Sequence, residues 1–233
     1  TVFVSGGPMM PGHLPGNDCT NPYSGKNLSL TDMFEAVGGV SSGKVTEAQL
    51  KEMEQVACPG CGACSGMFTA NSMNCLTEVL GLGLPGNGTI PAVTGKRIAL
   101  AKHAGMQVME MYNKGITARC MMKEANFRNA LAADMALGCS SNTILHVPAI
   151  AHEAGFELDL HMINEISNKT PNLCHLAPAG HTFMCQLDDA GGVQAVLAEL
   201  AKKNLIDTSV MTVTGKTVAE NIKGVVNRDP EIL

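Results

Sequence analysis

The sequence predicts an α/β fold in which helices dominate and a mainly parallel sheet supplies the frame. Three observations predict it. Short runs of β-formers at residues 1–5, 173–177 and 210–213 are separated by longer stretches with helical spacing of apolar residues. Hydrophobic residues make up 45% of the 233 and charged residues 16%, so a sizeable core can form without staples. No repeat, low-complexity segment or linker divides the chain, so 1–233 reads as a single domain.

Taken in order, Thr1-Val2-Phe3-Val4-Ser5 reads as a buried strand that ends in the turn Gly6-Gly7-Pro8. Residues 8–29 carry Pro8, Pro11, Pro15 and Pro22. That is a long loop, and compact domains seldom keep one without a functional reason. Thr31-Asp32 starts a helix that reaches about residue 37. Thr46 caps a second one to residue 54, with Gln49 completing a capping box. Residues 64–84 read as one long apolar helix through Met67, Phe68, Ala70, Met73, Leu76, Val79 and Leu80, buried on most sides. Pro85-Gly86-Asn87-Gly88 ends it. Further helices are expected at 94–114, 123–137 and 142–154, the last stopped by Gly155. Three more are expected at 160–168, at 191–203 after Gly191-Gly192, and at 216–222.

Composition removes several classes of function. The net charge is −5 and no Lys/Arg run occurs, which argues against nucleic acid as a partner. No apolar stretch reaches the ~20 residues that cross a bilayer, and no charged leader precedes an apolar core. Nine cysteines, an odd count, argue against a secreted disulfide framework and for a reducing, cytoplasmic compartment. Cys75, Cys120 and Cys139 sit in apolar, helix-like surroundings, where free cysteine packs as a small hydrophobe. With no Trp and few other aromatics, the fifteen Met must fill much of the core. The opening strand-like run lacks an initiator Met, and Arg228-Asp229-Pro230 reads as a run-out. The expectation is a longer natural polypeptide.

The chemical centre is Cys58-Pro59-Gly60-Cys61-Gly62-Ala63-Cys64. Thiolates at C-x₂-C-x₂-C spacing on a Gly/Pro-rich loop can converge on one soft metal centre, an iron–sulfur cluster or zinc. A ferredoxin run would need a fourth Cys three residues on, and Met67 stands there. Iron–sulfur binding by at least one cysteine, zinc or redox use, and plain structural thiols all stay open. Cys64 stands apart, because the expected helix starts at it. A helix N-terminus favours the thiolate, and Ser65 and Thr69 are near in sequence for supporting hydrogen bonds.

Five blocks carry a resemblance. They are Phe3-Val4-Ser5-Gly6-Gly7-Pro8-Met9, the run from Cys64 to Glu78, Leu84-Pro85-Gly86-Asn87-Gly88, the run from Gly138 to His146, and Asp189-Ala190-Gly191-Gly192-Val193. In this order, across nearly the whole chain, they resemble the dihydroxy-acid/6-phosphogluconate dehydratase family. The resemblance implies a three-layer α/β/α domain, of which this chain is the later part, followed in the family by a β-barrel-like domain absent here. It implies a hydro-lyase that turns 2,3-dihydroxy-3-methyl acids into 2-oxo acids in branched-chain amino-acid synthesis. In such enzymes a [2Fe–2S] or [4Fe–4S] cluster acts as Lewis acid on the departing 3-hydroxyl. Mg²⁺ holds the carboxylate and 2-hydroxyl, and a serine takes the C2 proton. The substrate is a small molecule and the complete enzyme is expected to be a homodimer. The residue matching a family cluster ligand is Cys64. Ligation is not carried over to Cys58 and Cys61, which remain secondary candidates.

The family's Pro-Cys-Asn and Cys-Asp-Lys motifs, and the segment with the catalytic serine, have no counterpart here, so the chain alone is expected to be inactive. The Ser65 to Asn74 run looks closer to the amino-acid enzyme than to sugar-acid dehydratases, which remain an alternative, as does a free-standing CxxCxxC metal module. Ser140, Ser141 and Asn142, before an expected helix start, are candidates for an anionic substrate group, with simple capping as the competing reading. Gly6-Gly7-Pro8-Met9, after a strand, is a candidate for the active-site face or an ordinary turn. His146 reads better as a hydrogen-bonded core histidine than as a general acid. A second metal site at Cys174, His175, His181 and Cys185 is a weaker reading. Asp188-Asp189 reads as the cap of the helix beyond it rather than as an Mg²⁺ site.

Overall fold

The computed structural model describes residues 1–233. Helices carry the fold, and the one sheet is an antiparallel pair, β1 (Gly12–His13) with β2 (Asn27–Leu28), inside the proline-rich loop. Helix α1 spans Leu30–Ser41 and α2 Glu47–Val56. Helix α1 begins earlier than expected because Ser29 caps it. The Asp32 carboxylate accepts from the Ser29 N–H at 2.6 Å. The box at α2 forms as expected: Gln49 N–H donates to the Thr46 hydroxyl at 3.2 Å, and the Gln49 side chain accepts from Thr46 N–H at 2.9 Å. The remaining helices are α3 (Thr69–Val79), α4 (Gly95–Asn113), α5 (Glu124–Leu137), α6 (Thr143–Glu153), α7 (Leu160–Lys169), α8 (Met184–Ala190), α9 (Gly192–Lys202) and α10 (Val218–Asn221). None is long and apolar enough to cross a membrane.

The long helix expected over 64–84 is half that length. Its first residues are committed elsewhere: Ala63 N–H donates to Gly7 O at 2.9 Å, Met67 N–H to Ala177 O at 2.7 Å, and Ser65 O accepts from Met184 N–H at 2.8 Å. A backbone bonded to three neighbours cannot also close helical turns. At the far end Gly81 adopts φ +81°, which stops α3.

The expected strands survive as single pairings. Phe3 bridges Gly83 in parallel and Val213 N–H reaches Gly81 O at 2.8 Å, so segment 81–83 lies between the 1–5 and 210–213 runs. Neither run extends into a ladder. Ser5 N–H goes to the Asn87 side chain at 2.9 Å, and Thr212 N–H turns back onto Lys216 O at 3.0 Å. Run 173–177 contributes only the Leu176–Thr182 bridge. The architecture is helix-rich and consistent with an α/β class.

Helix α8 was not expected, and it moves Asp188 and Asp189 from a cap before α9 to the last turn of α8. Gly191, at φ +126°, separates the two helices. At the centre of the main core is α5, whose Phe127, Ala130, Leu131, Ala133, Ala136 and Leu137 are buried. Its small residues let α3, α6, α7 and α9 pack closely on it. Leu14, Leu28, Ala36 and Met53 form a second, small core that ties β1 and β2 to α1 and α2.

Candidate functional site

The cysteine loop lies against the Gly6-Gly7-Pro8-Met9 turn. Ala63 bridges Pro8 in parallel and accepts from Met9 N–H at 2.7 Å. Gly62 at φ +129° makes this possible: a Cβ there would sit 2.7 Å from Met9 N. Cys58 and Cys61 are exposed and Cys64 is half-buried. Cys64 is not at a helix start, since α3 begins at Thr69, so the helix-terminus argument for its thiolate falls away. What holds it is a loop bonded on both flanks and a carbonyl that accepts from the Asn71 side chain. Nowhere are three or more His, Cys, Asp or Glu side chains gathered as a metal-binding group, around Cys58, Cys61 and Cys64 or around His175 and His181. His175 and His181 are exposed, and burial pushes the Cys174 thiol up to about 12.

The start of α3 meets the loop before α6. Thr69 Oγ1 lies 3.1 Å from Ser140 Oγ and accepts from Asn142 Nδ2 at 2.7 Å. Ser140 N–H donates to Ser72 Oγ at 3.0 Å, and Cys139 Sγ lies 3.9 Å from Met67 Sδ. The cysteine loop and Ser140–Asn142 thus flank the same helix start. Ser141 is exposed beside them. Asn142 occupies the cap position of α6 without a side-chain cap bond, and Ser140 serves the turn before it, its hydroxyl accepting from Asn142 N–H at 3.3 Å and its carbonyl from Thr143 N–H at 3.0 Å. His146 is exposed, not a core histidine, because α6 turns Thr143, Val147 and Ala151 inward instead.

The sequence reading missed a buried polar hub under this surface. Arg97, 6% exposed, donates to Ser5 O and Asn87 O, each at 3.1 Å, and twice to Ile90 O. Asn87 holds Ser5 through its side chain and carbonyl. Thr89 Oγ1 donates to Asp188 at 2.7 Å. The available signal was the Pro85-Gly86-Asn87-Gly88 turn, read as a helix stop and as part of a family block. Its carbonyls point inward and need a donor.

The model of the dihydroxy-acid/6-phosphogluconate dehydratase N-terminal family matches residues 1–221. The chain belongs to that family. It is 61% identical to the dihydroxy-acid dehydratase of Agathobacter rectalis, 60% to that of Lachnoclostridium phytofermentans and 58% to that of Clostridium beijerinckii. Each match takes in all of this chain and 40% of the relative, so the chain spans about 40% of the length of the curated relatives it matches. All three carry the name dihydroxy-acid dehydratase, and neither the sugar-acid alternative nor the free-standing metal module is favoured.

In this dehydratase-family chain two buried carboxyls, Glu78 and Asp134, give the stability a pH dependence, and Glu78 is the one with a simple test. Burial raises Glu78 from 4.5 to about 6, although it accepts from Gln194 Nε2 at 2.7 Å and Gly88 N–H at 3.0 Å. The folded state keeps a proton that the unfolded chain has released, so Glu78 lowers stability as the pH rises from about 4.5 to about 6, and the loss persists above. Glu78→Gln should remove the loss. The Gln194 Oε1 is buried without a partner, and turning that amide lets it accept from the new side chain. Denaturant titrations should show the variant ahead by up to about 2 kcal/mol near neutral pH, the gap closing as the pH falls to about 4.5. A gap independent of pH would contradict this.

Proposed function

We propose that this chain is the later part of the N-terminal three-layer α/β/α domain of an iron–sulfur dihydroxy-acid dehydratase. The complete enzyme removes water from a 2,3-dihydroxy-3-methyl carboxylic acid to give a 2-oxo acid in branched-chain amino-acid synthesis. The observation that carries this reading is a match over all 233 residues, at about 60% identity, to proteins of that name. The same reading includes Mg²⁺, a homodimer and the cytoplasm. Nine free cysteines support a reducing compartment.

Cys64 fits one place in such a cluster. A thiol is the donor iron–sulfur centres use, this one is half-exposed, and its loop is pinned from both sides. When bound, the cluster supplies a Lewis-acidic iron for a departing hydroxyl. Cys64 would hold it, and Cys58 and Cys61 sit too far out on an exposed loop to be first choices. Ser140, Ser141 and Asn142 lie at the start of α6; the N–H groups of Asn142, Thr143 and Ile144 and the Asn142 amide are already bonded, so the exposed Ser141 hydroxyl is the group there that can orient a substrate carboxylate. The Thr69 and Ser140 hydroxyls, 3.1 Å apart, can pass a hydrogen bond toward the same place.

The test is to assay the complete protein that carries this chain against 2,3-dihydroxy-3-methylbutanoate and a six-carbon sugar acid. A preference of about 100-fold or more for the branched substrate is expected. The 233-residue chain alone, reconstituted with iron and sulfide, should show no turnover. Full turnover by the chain alone, or preference for the sugar acid, would overturn the proposal.

A further inference from the structure

The carbonyls on either side of Cys64 alternate between two kinds of partner. Those of Ala63 and Ser65 accept from backbone donors, Met9 N–H at 2.7 Å and Met184 N–H at 2.8 Å. Those of Cys64 and Gly66 have no backbone donor. Both are served by one side chain: the Asn71 amide donates to Cys64 O and, at 2.8 Å, to Gly66 O. An amide nitrogen carries two N–H groups, so its capacity is fully used. Asn71 is completely buried at the start of α3, and the Asn74 amide, 3.5 Å from its oxygen, favours the orientation that leaves the nitrogen facing the loop.

Asn71 therefore does on one edge of this loop what a neighbouring strand does in a sheet. The helix that follows the loop sends a side chain back to fix the Cys64–Ser65 and Gly66–Met67 peptides. This hold is local to Cys64. Cys58 and Cys61 lie on the exposed Gly/Pro segment before it, outside the reach of these bonds.

We propose that Asn71 is the positioning residue for Cys64: its paired hydrogen bonds to the Cys64 and Gly66 carbonyls fix the backbone that aims the thiol at its metal. The proposal rests on the reading of Cys64 as the cluster thiol. Removing the amide donors leaves the half-buried Cys64 carbonyl and the buried Gly66 carbonyl without partners and frees rotation of the Cys64 peptide. The thiol then samples directions the folded loop now excludes, while the helical core beneath stays packed.

The experiment measures alkylation of each cysteine by iodoacetamide in the native 233-residue chain, resolved by mass spectrometry, for the parent, Asn71→Asp and Asn71→Ala. Asp keeps the shape and lacks the N–H groups, so it stands in if Ala does not fold. The rate at Cys64 relative to Cys58 should rise about tenfold, with buried Cys75 and Cys174 unchanged. An unchanged ratio, or a rise shared with Cys75 and Cys174, would overturn the proposal. In the parent chain the Asn71 side-chain amide protons should exchange at least about tenfold more slowly than those of an exposed Asn. Free exchange would overturn it whether or not the variants fold. In the complete protein loaded with iron and sulfide, Asn71→Asp should shift the visible circular dichroism while iron content holds. Cys64→Ser, in contrast, should lose iron. Undiminished iron in Cys64→Ser would refute the ligand reading alone and leave the alkylation result to decide what Asn71 does.

Discussion

Arg97→Met is expected to cost the fold about 3–5 kcal/mol, measured by urea unfolding at neutral pH. The guanidinium is buried and bonds only backbone carbonyls: Ser5, Asn87 and Ile90. Burial lowers its pKa, opposed by the nearby Asp188 and Glu78 charges. Met keeps an unbranched apolar stem and removes the donors, leaving Ser5 O and Ile90 O without a partner and Asn87 O with only the Ser5 hydroxyl. Each buried acceptor left unpaired costs about 1–3 kcal/mol, and relief from burying the charge offsets only part of the sum. Arg97→Lys sharpens the test. It keeps the charge but lacks the planar fork that spans Asn87 O and Ile90 O, so roughly half the loss should remain. If Lys restored full stability, the charge rather than the fork would be what the hub requires.

The same hub shows where sequence reading stops. Local signals were legible because their partners are close in sequence: the Thr46–Gln49 box and the stop at Gly155 lie where spacing places them. Helix α3 was misjudged because its N-terminal boundary is set by Gly7, Ala177 and Met184, which claim the backbone from outside. An apolar run carries no mark of such claims. Helix α8 is seven residues, too short for periodicity to stand out, and so Asp188 was assigned a role in the wrong helix. The strands were visible as β-formers. Whether a run makes a ladder depends on neighbours, and Asn87 and Lys216 intercept the N–H groups that would have continued two of them. At the site, residue identity singled out Cys64, Ser140 and Asn142, and the fold brings the last two together through Thr69. Asn71 and Arg97 act on carbonyl groups, which every residue has, so nothing in the pattern of side chains pointed to them.

Cys64→Ser in the complete protein should abolish at least about 99.9% of turnover and most bound iron, while Cys58→Ser and Cys61→Ser each retain both within about threefold. Spacing alone makes the three cysteines equivalent; the fold makes them different. Cys58 and Cys61 project from an exposed segment, where holding a metal would require ordering the loop at the moment of binding. Cys64 sits on backbone already fixed by Gly7, Ala177, Met184 and Asn71, so that ordering cost is met when the chain folds. Serine keeps the volume and replaces a soft thiolate with a hydroxyl that stays protonated near neutral pH and binds iron weakly. The fold of the 233-residue chain should tolerate the change, because the loop is held by main-chain and Asn71 bonds that do not involve the sulfur. An intact unfolding transition with lost iron would separate a ligand from a structural thiol. Loss of iron in Cys58→Ser or Cys61→Ser to the same degree would instead mean that the exposed loop folds inward around the metal, a rearrangement that would have to break the Ala63–Pro8 pairing.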